Sequence, residues 1–393
     1  MITKEQLKFI TEDQKLSYFE KSSIGREKEL SWESDRIAII SGVRRCGKST
    51  LIKNEFLRNE TGLYINFEDP RLSSFEQSDF LRLEALMREE GKERLLLDEV
   101  QIIPGWELYA RSAHERGIKL VITGSNSSLL SRELGTKLTG RYIQYELFPF
   151  SYSEFLTYYR KERSKESFDE YFECGGFPEY LDTRDENYLR LLLRDIVARD
   201  IAQRRNISNE NQLMRLAVQL LSNVGNEFSF NRTARLLEIK SVRTVIDYCD
   251  YLSDSYVVEY VPMYSTSIRK QIANAKKAYA VDPVFAVANS LSFSRDTGRR
   301  LENFIYLKLR REGGEIFYYK TVDSECDFLI KDRNEITQVI QVCQELTREN
   351  LERELRGIRS AMKETGTNNG LILTLNQEDN LDGISVLPVW KWI

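Results

Sequence analysis

The chain has 393 residues, of which 41% are hydrophobic and 30% are charged, and its formal net charge is −4. This length predicts about two to three domains with real hydrophobic cores. A chain that is basic throughout is excluded, so any nucleic-acid binding needs a local basic patch. The single histidine and the five scattered cysteines exclude His-based catalysis, a disulfide framework and a cysteine zinc site. We expect free thiols, a cytoplasmic protein and no membrane-spanning segment.

The first predicted domain, residues 1–150, alternates short apolar strands with helical or loop segments. This alternation predicts an α/β domain with a parallel sheet. The order of the strands along the chain leaves room for a further strand inserted between the first and the third. The strands are predicted at Arg36–Ile40, Leu63–Phe67, Arg94–Asp98, Ile118–Thr123 and Arg141–Leu147.

A glycine-rich loop with the spacing G-x-x-x-x-G-K-[ST] follows the first strand and precedes a helical pattern. Glycines let the backbone N–H groups face a phosphate, and the helix that opens at Lys48 adds the positive end of its dipole. The spacing assigns Lys48 to the β- and γ-phosphates and Ser49 to Mg²⁺. The alternative is a purely structural glycine turn. The residues of this Walker A motif are Gly42, Val43, Arg44, Arg45, Cys46, Gly47, Lys48, Ser49 and Thr50.

Two carboxylates end the apolar strand that lies about fifty residues further on, in the form of a Walker B motif. Asp98 is predicted to orient Mg²⁺ through its water shell. Glu99 is predicted to polarise the attacking water. The alternative is a pair of surface acids after a core strand. Together with the P-loop, the two carboxylates predict a site that hydrolyses a nucleoside triphosphate.

A third element of this site is predicted where the strand Ile118–Thr123 ends in small polar residues. In P-loop ATPases a polar side chain here touches the γ-phosphate or positions the water. Thr123, Ser125 and Asn126 are the candidates. A simple Gly-Ser-Asn turn is the alternative.

Residues 151–206 have a helical pattern and predict a lid over the nucleotide, with a break at Gly175-Gly176-Phe177-Pro178. Residues 207–297 predict a winged helix. DNA binding through residues 229–277 is one interpretation, and a lid or protein–protein module is the other. The predicted helices are Ser208–Val224, Asn231–Leu237 and Ser241–Leu252, and the wing strands are Tyr256–Tyr264 and Ala278–Val281. The phosphate-contacting cations are predicted to be Arg232, Arg235, Lys240, Arg243, Arg269, Lys270, Lys276 and Lys277.

Residues 298–393 predict a last α/β unit. Its helices are predicted at Arg300–Glu312 and Thr347–Glu364. Its strands are predicted at Ile316–Tyr319, Cys326–Ile330, Gln338–Val342, Gly370–Thr374 and Ile384–Leu387.

Taken together, the motifs resemble those of a prokaryotic family of AAA+-like P-loop ATPases. Members of that family carry a winged-helix segment and a C-terminal domain related to restriction endonucleases. The resemblance extends over nearly the whole chain. It rests on Gly42–Thr50, Leu97-Asp98-Glu99-Val100-Gln101, Thr123-Gly124-Ser125, Leu138-Thr139-Gly140-Arg141, Pro149-Phe150-Ser151, Gly175-Gly176-Phe177-Pro178 and Ser324-Glu325-Cys326-Asp327-Phe328.

The resemblance implies ATP as the nucleotide and an arginine that completes the site. Arg141 matches the family's Gly-Arg pair, and Arg132 lies nearby. Such an arginine neutralises charge on the γ-phosphate in cis or from a neighbouring subunit of a homo-oligomer. The alternative for Arg141 is a salt bridge to acids of its own domain.

The resemblance also implies a nuclease fold with a Glu on its first helix, an Asp on a strand and a Glu-x-Lys on the next strand. Glu302 and Asp327 match the first two positions, but the third falls on Gln341-Val342-Cys343. A glutamine amide is a weaker ligand for Mg²⁺ than a carboxylate, and a cysteine supplies no ammonium. A domain that binds DNA or a partner without cutting is therefore favoured over an ATP-regulated nuclease.

The favoured function is a Mg²⁺-dependent ATPase that couples its nucleotide state to the winged-helix and nuclease-like module. A nucleotide-gated DNA-binding or signalling switch with little turnover is the alternative.

Overall fold

A computed structural model of the chain describes residues 2–16, 24–27, 35–57, 60–124, 138, 140–291 and 296–393, without the side chains of residues 55–57. In this structure the chain divides into two units, Met1–Pro149 and Phe150–Ile393. None of the helices in the described ranges combines the length and the apolar character that a bilayer crossing requires. The division of the second unit into lid, winged helix and nuclease-like domain stays a prediction.

The described part of the first unit is a parallel sheet of five strands with helices around it, which confirms the predicted α/β class. The strands stand in the spatial order β2-β3-β4-β1-β5. The strand between β1 and β3 is β4, so the predicted insertion is present. The elements are α1 (Lys4–Leu16), β1 (Ile37–Gly42), α2 (Lys48–Leu57), β2 (Gly62–Asn66), α3 (Asp79–Glu89), β3 (Arg94–Asp98), α4 (Trp106–Glu115), β4 (Lys119–Gly124) and β5 (Tyr142–Leu147).

Apolar residues on both faces hold this sheet at the centre of the unit. Every residue of β1 is buried, as expected of a central parallel strand that helices cover on both sides. Leu7 of α1, Phe80 and Leu83 of α3 and Ala110 of α4 are fully buried in one core cluster with the strands. Burial of each large apolar side chain contributes about 1.5–3 kcal/mol. The core thus fixes the carboxyl ends of β1, β3 and β4 at one edge of the sheet.

The first part of the second unit is helical. Ser151 caps its first helix in a capping box, because its hydroxyl accepts from the Glu154 N–H and the Glu154 carboxylate accepts from the Ser151 N–H. The predicted break is also present, since one helix ends at Cys174 and the next begins at Pro178. The helices are α5 (Tyr152–Tyr159), α6 (Lys165–Cys174), α7 (Pro178–Thr183) and α8 (Glu186–Asp195), followed by a π-helix at Ile196–Gln203.

The middle of the second unit contains three longer helices and a small antiparallel sheet with the order β6-β8-β7. A short helix that the sequence did not predict, α12, lies between the two strands of the hairpin. The elements are α9 (Glu210–Leu221), β6 (Glu227–Phe228), α10 (Phe230–Leu236), α11 (Val242–Asp254), β7 (Val258–Pro262), α12 (Ile268–Ala273), β8 (Lys276–Ala280) and α13 (Pro283–Ala288).

The last part of the second unit is a mixed sheet of six described strands in the order β13-β14-β12-β11-β10-β9. β9, β10 and β11 form an antiparallel meander, and β12 joins β11 in parallel after a helical crossover. The elements are α14 (Thr297–Glu312), β9 (Glu315–Lys320), β10 (Glu325–Asp332), β11 (Glu335–Val342), α15 (Leu351–Thr365), β12 (Gly370–Thr374), β13 (Asp379–Leu381), β14 (Ile384–Pro388) and α16 (Val389–Trp392).

Candidate nucleotide site

The glycine-rich loop joins β1 to α2 in a curled conformation. The backbone φ angle is positive at Arg45 (67°) and at Gly47 (101°), a region that favours glycine and turns successive N–H groups to one side. The buried Lys48 ammonium donates to the carbonyl oxygens of Gly42 and Val43, each at 3.0 Å. The lysine therefore lies over its own loop, at the N-terminus of α2.

The loop is fixed against the end of β5 by contacts that no spacing rule predicts. A Cβ at Gly42 would collide with the Leu147 carbonyl oxygen, and the Cys46 thiol donates to the same oxygen at 3.3 Å. The Arg26 guanidinium donates to the carbonyl oxygens of Cys46 at 2.9 Å and Phe148 at 2.6 Å. These contacts hold the loop in place, because they join it to Leu147 at the end of β5 and, through Arg26, to Phe148 just after that strand.

Asp98 ends β3 as a fully buried carboxylate held by two hydroxyl groups. The Tyr64 hydroxyl donates to Oδ2 at 2.6 Å, and the Thr123 hydroxyl donates to Oδ1. The Thr123 oxygen in turn accepts the backbone N–H of Glu99 at 3.0 Å. Neighbouring strands β2 and β4 thereby orient both Walker B residues.

Glu99 stands at the same edge of the sheet in a left-handed backbone conformation, with a φ angle of 53°. Its carboxylate accepts from the amide of Gln101. Burial raises the pKa of the Glu99 carboxyl above its ordinary value, and Asp98 adds to this effect, while the Lys48 ammonium opposes it. A carboxylate with a raised pKa beside the Lys48 ammonium is suited to accept a proton from water.

The donor set at this edge fits a hard divalent cation. The Ser49 hydroxyl lies in the first turn of α2, and the Asp98 carboxylate ends β3. Both supply oxygen ligands of the kind that Mg²⁺ prefers. The predicted assignment of Ser49 and Asp98 to Mg²⁺ is chemically consistent with this arrangement and remains a prediction.

The placement of Thr123 corrects its predicted role. Its side chain is fully buried, and its hydroxyl is engaged with Asp98 and with the Glu99 N–H. Thr123 is thus positioned to support the Walker B residues rather than to touch a phosphate. Ser125, Asn126 and Arg132 lie outside the described residues.

The strand register corrects the predicted role of Arg141 in cis. β5 runs parallel to β1, with Tyr142 beside Ile37 and Leu147 beside Gly42. Arg141 therefore lies at the amino end of the sheet, six residues before the level of Gly42, or about 20 Å along the strands at ~3.3 Å per residue. Its guanidinium pairs with Glu115 at 3.4 Å, as the salt-bridge alternative predicts. A role in trans remains untested.

Arg141→Ala is expected to leave ATP hydrolysis by the monomeric protein within about two-fold of wild type, because the residue does not reach its own P-loop. The rate should be measured at concentrations where light scattering gives the monomer mass, and again where assembly occurs. Arg111→Ala is the matched control, since Arg111 also pairs with Glu115, at 3.2 Å. A loss only on assembly would assign Arg141 to a trans site, and a large loss in the monomer would contradict the register argument.

The sequence patterns assigned no role to three residues of this site. Tyr64 has the pattern of an ordinary strand residue, and nothing local connects it with Asp98. Gln101 ends the motif Leu97-Asp98-Glu99-Val100-Gln101, but its contact with Glu99 was not predicted. Lys53 lies in α2, where burial lowers the pKa of its ammonium to about 8 although Asp98 acts in the opposite direction.

The predicted nuclease residues lie in the second unit, where the structure unites two of the three. Glu302 of α14 and Asp327 of β10 share the ammonium of Lys277. Gln341 of β11 donates instead to Glu354 of α15 at 2.7 Å. The sequence had assigned Lys277 to DNA contact, and this is wrong, because the side chain is only 2% exposed.

Comparisons with known proteins agree with the geometry of the first unit. Residues 34–156 match the family described as AAA domain, and residues 165–296 match a domain of unknown function (DUF8612). An uncharacterized protein of Methanocaldococcus jannaschii is 32% identical over 94% of this chain and 90% of its own length. The chain belongs to the family of this archaeal protein. An uncharacterized protein of Haemophilus influenzae is 28% identical over 95% of this chain and 99% of its own length.

Two solved structures show a distant similarity. The Walker-type ATPase PABY2304 of Pyrococcus abyssi aligns with a TM-score of 0.41 and 15% identity, over 72% of this chain and 94% of its own. Cdc6p from Pyrobaculum aerophilum aligns with a TM-score of 0.26 and 14% identity, over 72% and 90% of the two chains. The AAA domain match includes both Walker motifs, so the first unit carries the expected P-loop ATPase domain. The nuclease-like domain at the C-terminus stays a prediction.

Proposed function

We propose that this protein is a Mg²⁺-dependent ATPase that couples its nucleotide state to a DNA-binding module in the second unit. The observation that carries the proposal is the meeting of Lys48, Asp98 and Glu99 at one edge of the parallel sheet. The charges of Lys48 and Asp98 both act on the Glu99 carboxyl. A cation for phosphate, a ligand for the metal and a base for water are therefore combined in one site.

Each residue has a defined task in this proposal. The loop N–H groups and the Lys48 ammonium bind the phosphates, and Lys48 exchanges the carbonyl oxygens of Gly42 and Val43 for phosphate oxygens. Ser49 and Asp98 hold Mg²⁺, which neutralises charge on the phosphates. Glu99 accepts the proton of the attacking water. Thr123 holds the Asp98 side chain and the Glu99 backbone in position.

The purified full-length chain is expected to release phosphate from ATP in the presence of Mg²⁺ and to fall to the background rate in excess EDTA. The physical reason is that the negative γ-phosphate and the carboxylates of Asp98 and Glu99 repel each other unless a metal cation lies between them. Phosphate release is the measurement, with GTP as the competing nucleotide. Hydrolysis that persists in EDTA would contradict the metal assignment, and preference for GTP would contradict the ATP assignment.

A nucleotide-gated switch with little turnover is the second candidate. The contact of Gln101 with the Glu99 carboxylate favours it, because the Gln101 N–H occupies one of the two Glu99 oxygens and leaves only the other to accept a proton from water. A switch predicts tight ATP binding with phosphate release slower than nucleotide exchange. A single-turnover experiment compared with the exchange rate distinguishes the two candidates.

The proposal of DNA binding is supported by the order of elements in the second unit. Helix α9, strand β6, helices α10 and α11 and the hairpin β7–β8 follow one another in the order of a winged helix. Several of the predicted cations are exposed, including Arg232 and Lys240 near the helices and Arg269 and Lys270 in the hairpin. Within the described ranges, Arg269 and Lys270 form no ion pair with a carboxylate, so their charge faces solvent.

Arg269→Ala/Lys270→Ala is expected to weaken DNA binding equally for all sequences and to reduce the slope of log K against log salt by about 2, one for each lost phosphate contact. Fluorescence anisotropy over a salt series measures both effects. The matched control is Lys161→Ala/Lys165→Ala, because both lysines pair with carboxylates of their own region. An unchanged salt slope in the test variant would exclude the hairpin from the DNA interface.

A further inference from the structure

The carboxylates of the nuclease-like region surround a buried lysine. The Lys277 ammonium lies 3.1 Å from Glu302 Oε1, 2.9 Å from Glu325 Oε1 and 3.0 Å from Asp327 Oδ1. Lys277 belongs to β8 of the small sheet, whereas the three acids belong to α14 and β10. The charge pairing therefore joins the hairpin to the C-terminal sheet.

Further protein donors also contact the carboxylates of this cluster. The Tyr279 hydroxyl donates to Glu302 Oε1 at 2.6 Å, and the Val342 N–H donates to Asp327 Oδ2 at 3.0 Å. Glu325 additionally accepts the Lys320 ammonium at 3.4 Å. Each carboxylate thus has a donor in addition to Lys277, as a buried ion cluster requires if it is to be stable.

These residues do not fit a divalent cation. Mg²⁺ needs about six oxygens at ~2.0–2.1 Å in near-octahedral geometry. An ammonium within hydrogen-bond distance of all three carboxylates occupies the space between them and repels a second cation. Gln341, at the third position of the predicted nuclease motif, does not join the cluster, because its side-chain amide donates to Glu354.

The charge state of the cluster agrees with this geometry. Burial lowers the pKa of Lys277, but the carboxylates of Glu302 and Asp327 raise it well above its ordinary value, so the ammonium stays charged. Burial raises the pKa of Glu302 to about 7, although Lys277 acts in the opposite direction. Lys277 and Glu302 thus favour each other's charged forms.

We propose that the Lys277 ammonium takes the place of the divalent metal in this nuclease-like site and locks the β7–β8 hairpin to the C-terminal sheet. The site is then a structural joint that cuts no DNA. Two further contacts support the joint, because the Asn303 side chain accepts from the Ala280 N–H at 2.8 Å and donates to the Ala280 carbonyl at 2.9 Å. The proposal is independent of ATP hydrolysis in the first unit.

Removal of the lysine is expected to convert the joint into a metal site. In Lys277→Ala, Glu302, Glu325 and Asp327 lose their shared cation, so the melting temperature in EDTA falls and Mn²⁺ raises it again by about 4 °C or more. Wild type melts at the same temperature in both conditions apart from any effect of Mn²⁺ at the P-loop. The double variant Lys277→Ala/Asp327→Asn keeps the P-loop intact, so any rise of its melting temperature in Mn²⁺ comes from the P-loop alone. Beyond that rise, its melting temperature does not recover.

Electron paramagnetic resonance of Mn²⁺ counts the bound ions directly, and one ion more in Lys277→Ala than in wild type supports the proposal. Lys277→Met, which keeps the side-chain volume, gives the same gain if the alanine variant does not fold. The proposal is overturned if wild type binds an Mn²⁺ ion that Asp327→Asn loses, or if wild type cleaves DNA and Asp327→Asn does not. It is also overturned if neither Lys277 variant gains an ion.

Discussion

Glu99→Gln is expected to lower the rate of ATP hydrolysis by ~10²–10⁴-fold while the affinity for ATP changes little. The amide keeps the size of the side chain but cannot accept a proton from water. Glu99 is held at the active edge of the sheet by its backbone bond to Thr123, so the substitution leaves the position of the side chain unchanged. Phosphate release and the binding of a fluorescent ATP analogue measure the two quantities separately.

Glu68→Gln is the matched control for this experiment. Its carboxylate contributes to the charge around Glu99, but it is partly exposed and pairs with Arg44 at 3.0 Å. We expect its effect on hydrolysis to remain within a few-fold, since screening by water weakens exposed charges. Hydrolysis by Glu99→Gln at the wild-type rate would show that another group is the base.

Thr123→Val is expected to lower both the stability of the first unit and the rate of hydrolysis. Valine has nearly the shape of threonine but no hydroxyl, so Asp98 loses a donor and the Glu99 N–H loses its acceptor. Each lost buried hydrogen bond costs about 1–3 kcal/mol, so the free energy of unfolding falls by roughly 2–6 kcal/mol in total. Hydrolysis should fall by at least about ten-fold, because both Walker B residues lose their support.

Thermal melting and the hydrolysis rate should be measured together for this variant. Thr123→Ser, which keeps the hydroxyl, is expected to recover most of both losses. Thr157→Val is the control, because Thr157 donates only to the Ser153 carbonyl oxygen on an exposed helix face. A Thr123→Val protein with wild-type melting and wild-type rate would refute the supporting role of Thr123.

The elements that depend on neighbours in sequence could be predicted. The spacing of Gly42, Gly47 and Lys48 and the apolar run before Asp98 indicate a P-loop and a Walker B strand, since phosphate binding and strand burial impose local patterns. The AAA domain match confirms this domain. The capping box at Ser151 could also be predicted, because its two hydrogen bonds join residues only three positions apart.

The arrangements that depend on distant residues could not be predicted. The spacing of Arg141 along the chain does not give its position in space. Only the parallel register of β5 and β1 shows that it lies at the end of the sheet opposite the P-loop. The composition of the wing suggested Lys277 as a DNA contact, and only the packing of β8 against α14 and β10 buries it among carboxylates. Thr123 likewise meets Asp98 because β4 lies beside β3.

By itself the sequence determined which chemical groups this protein carries and the local structures that present the P-loop and Asp98. The tertiary structure alone decided which charges meet. The physical reason is that electrostatic and hydrogen-bond energies depend on distance in space and on burial, whereas motif spacing reports only distance along the chain.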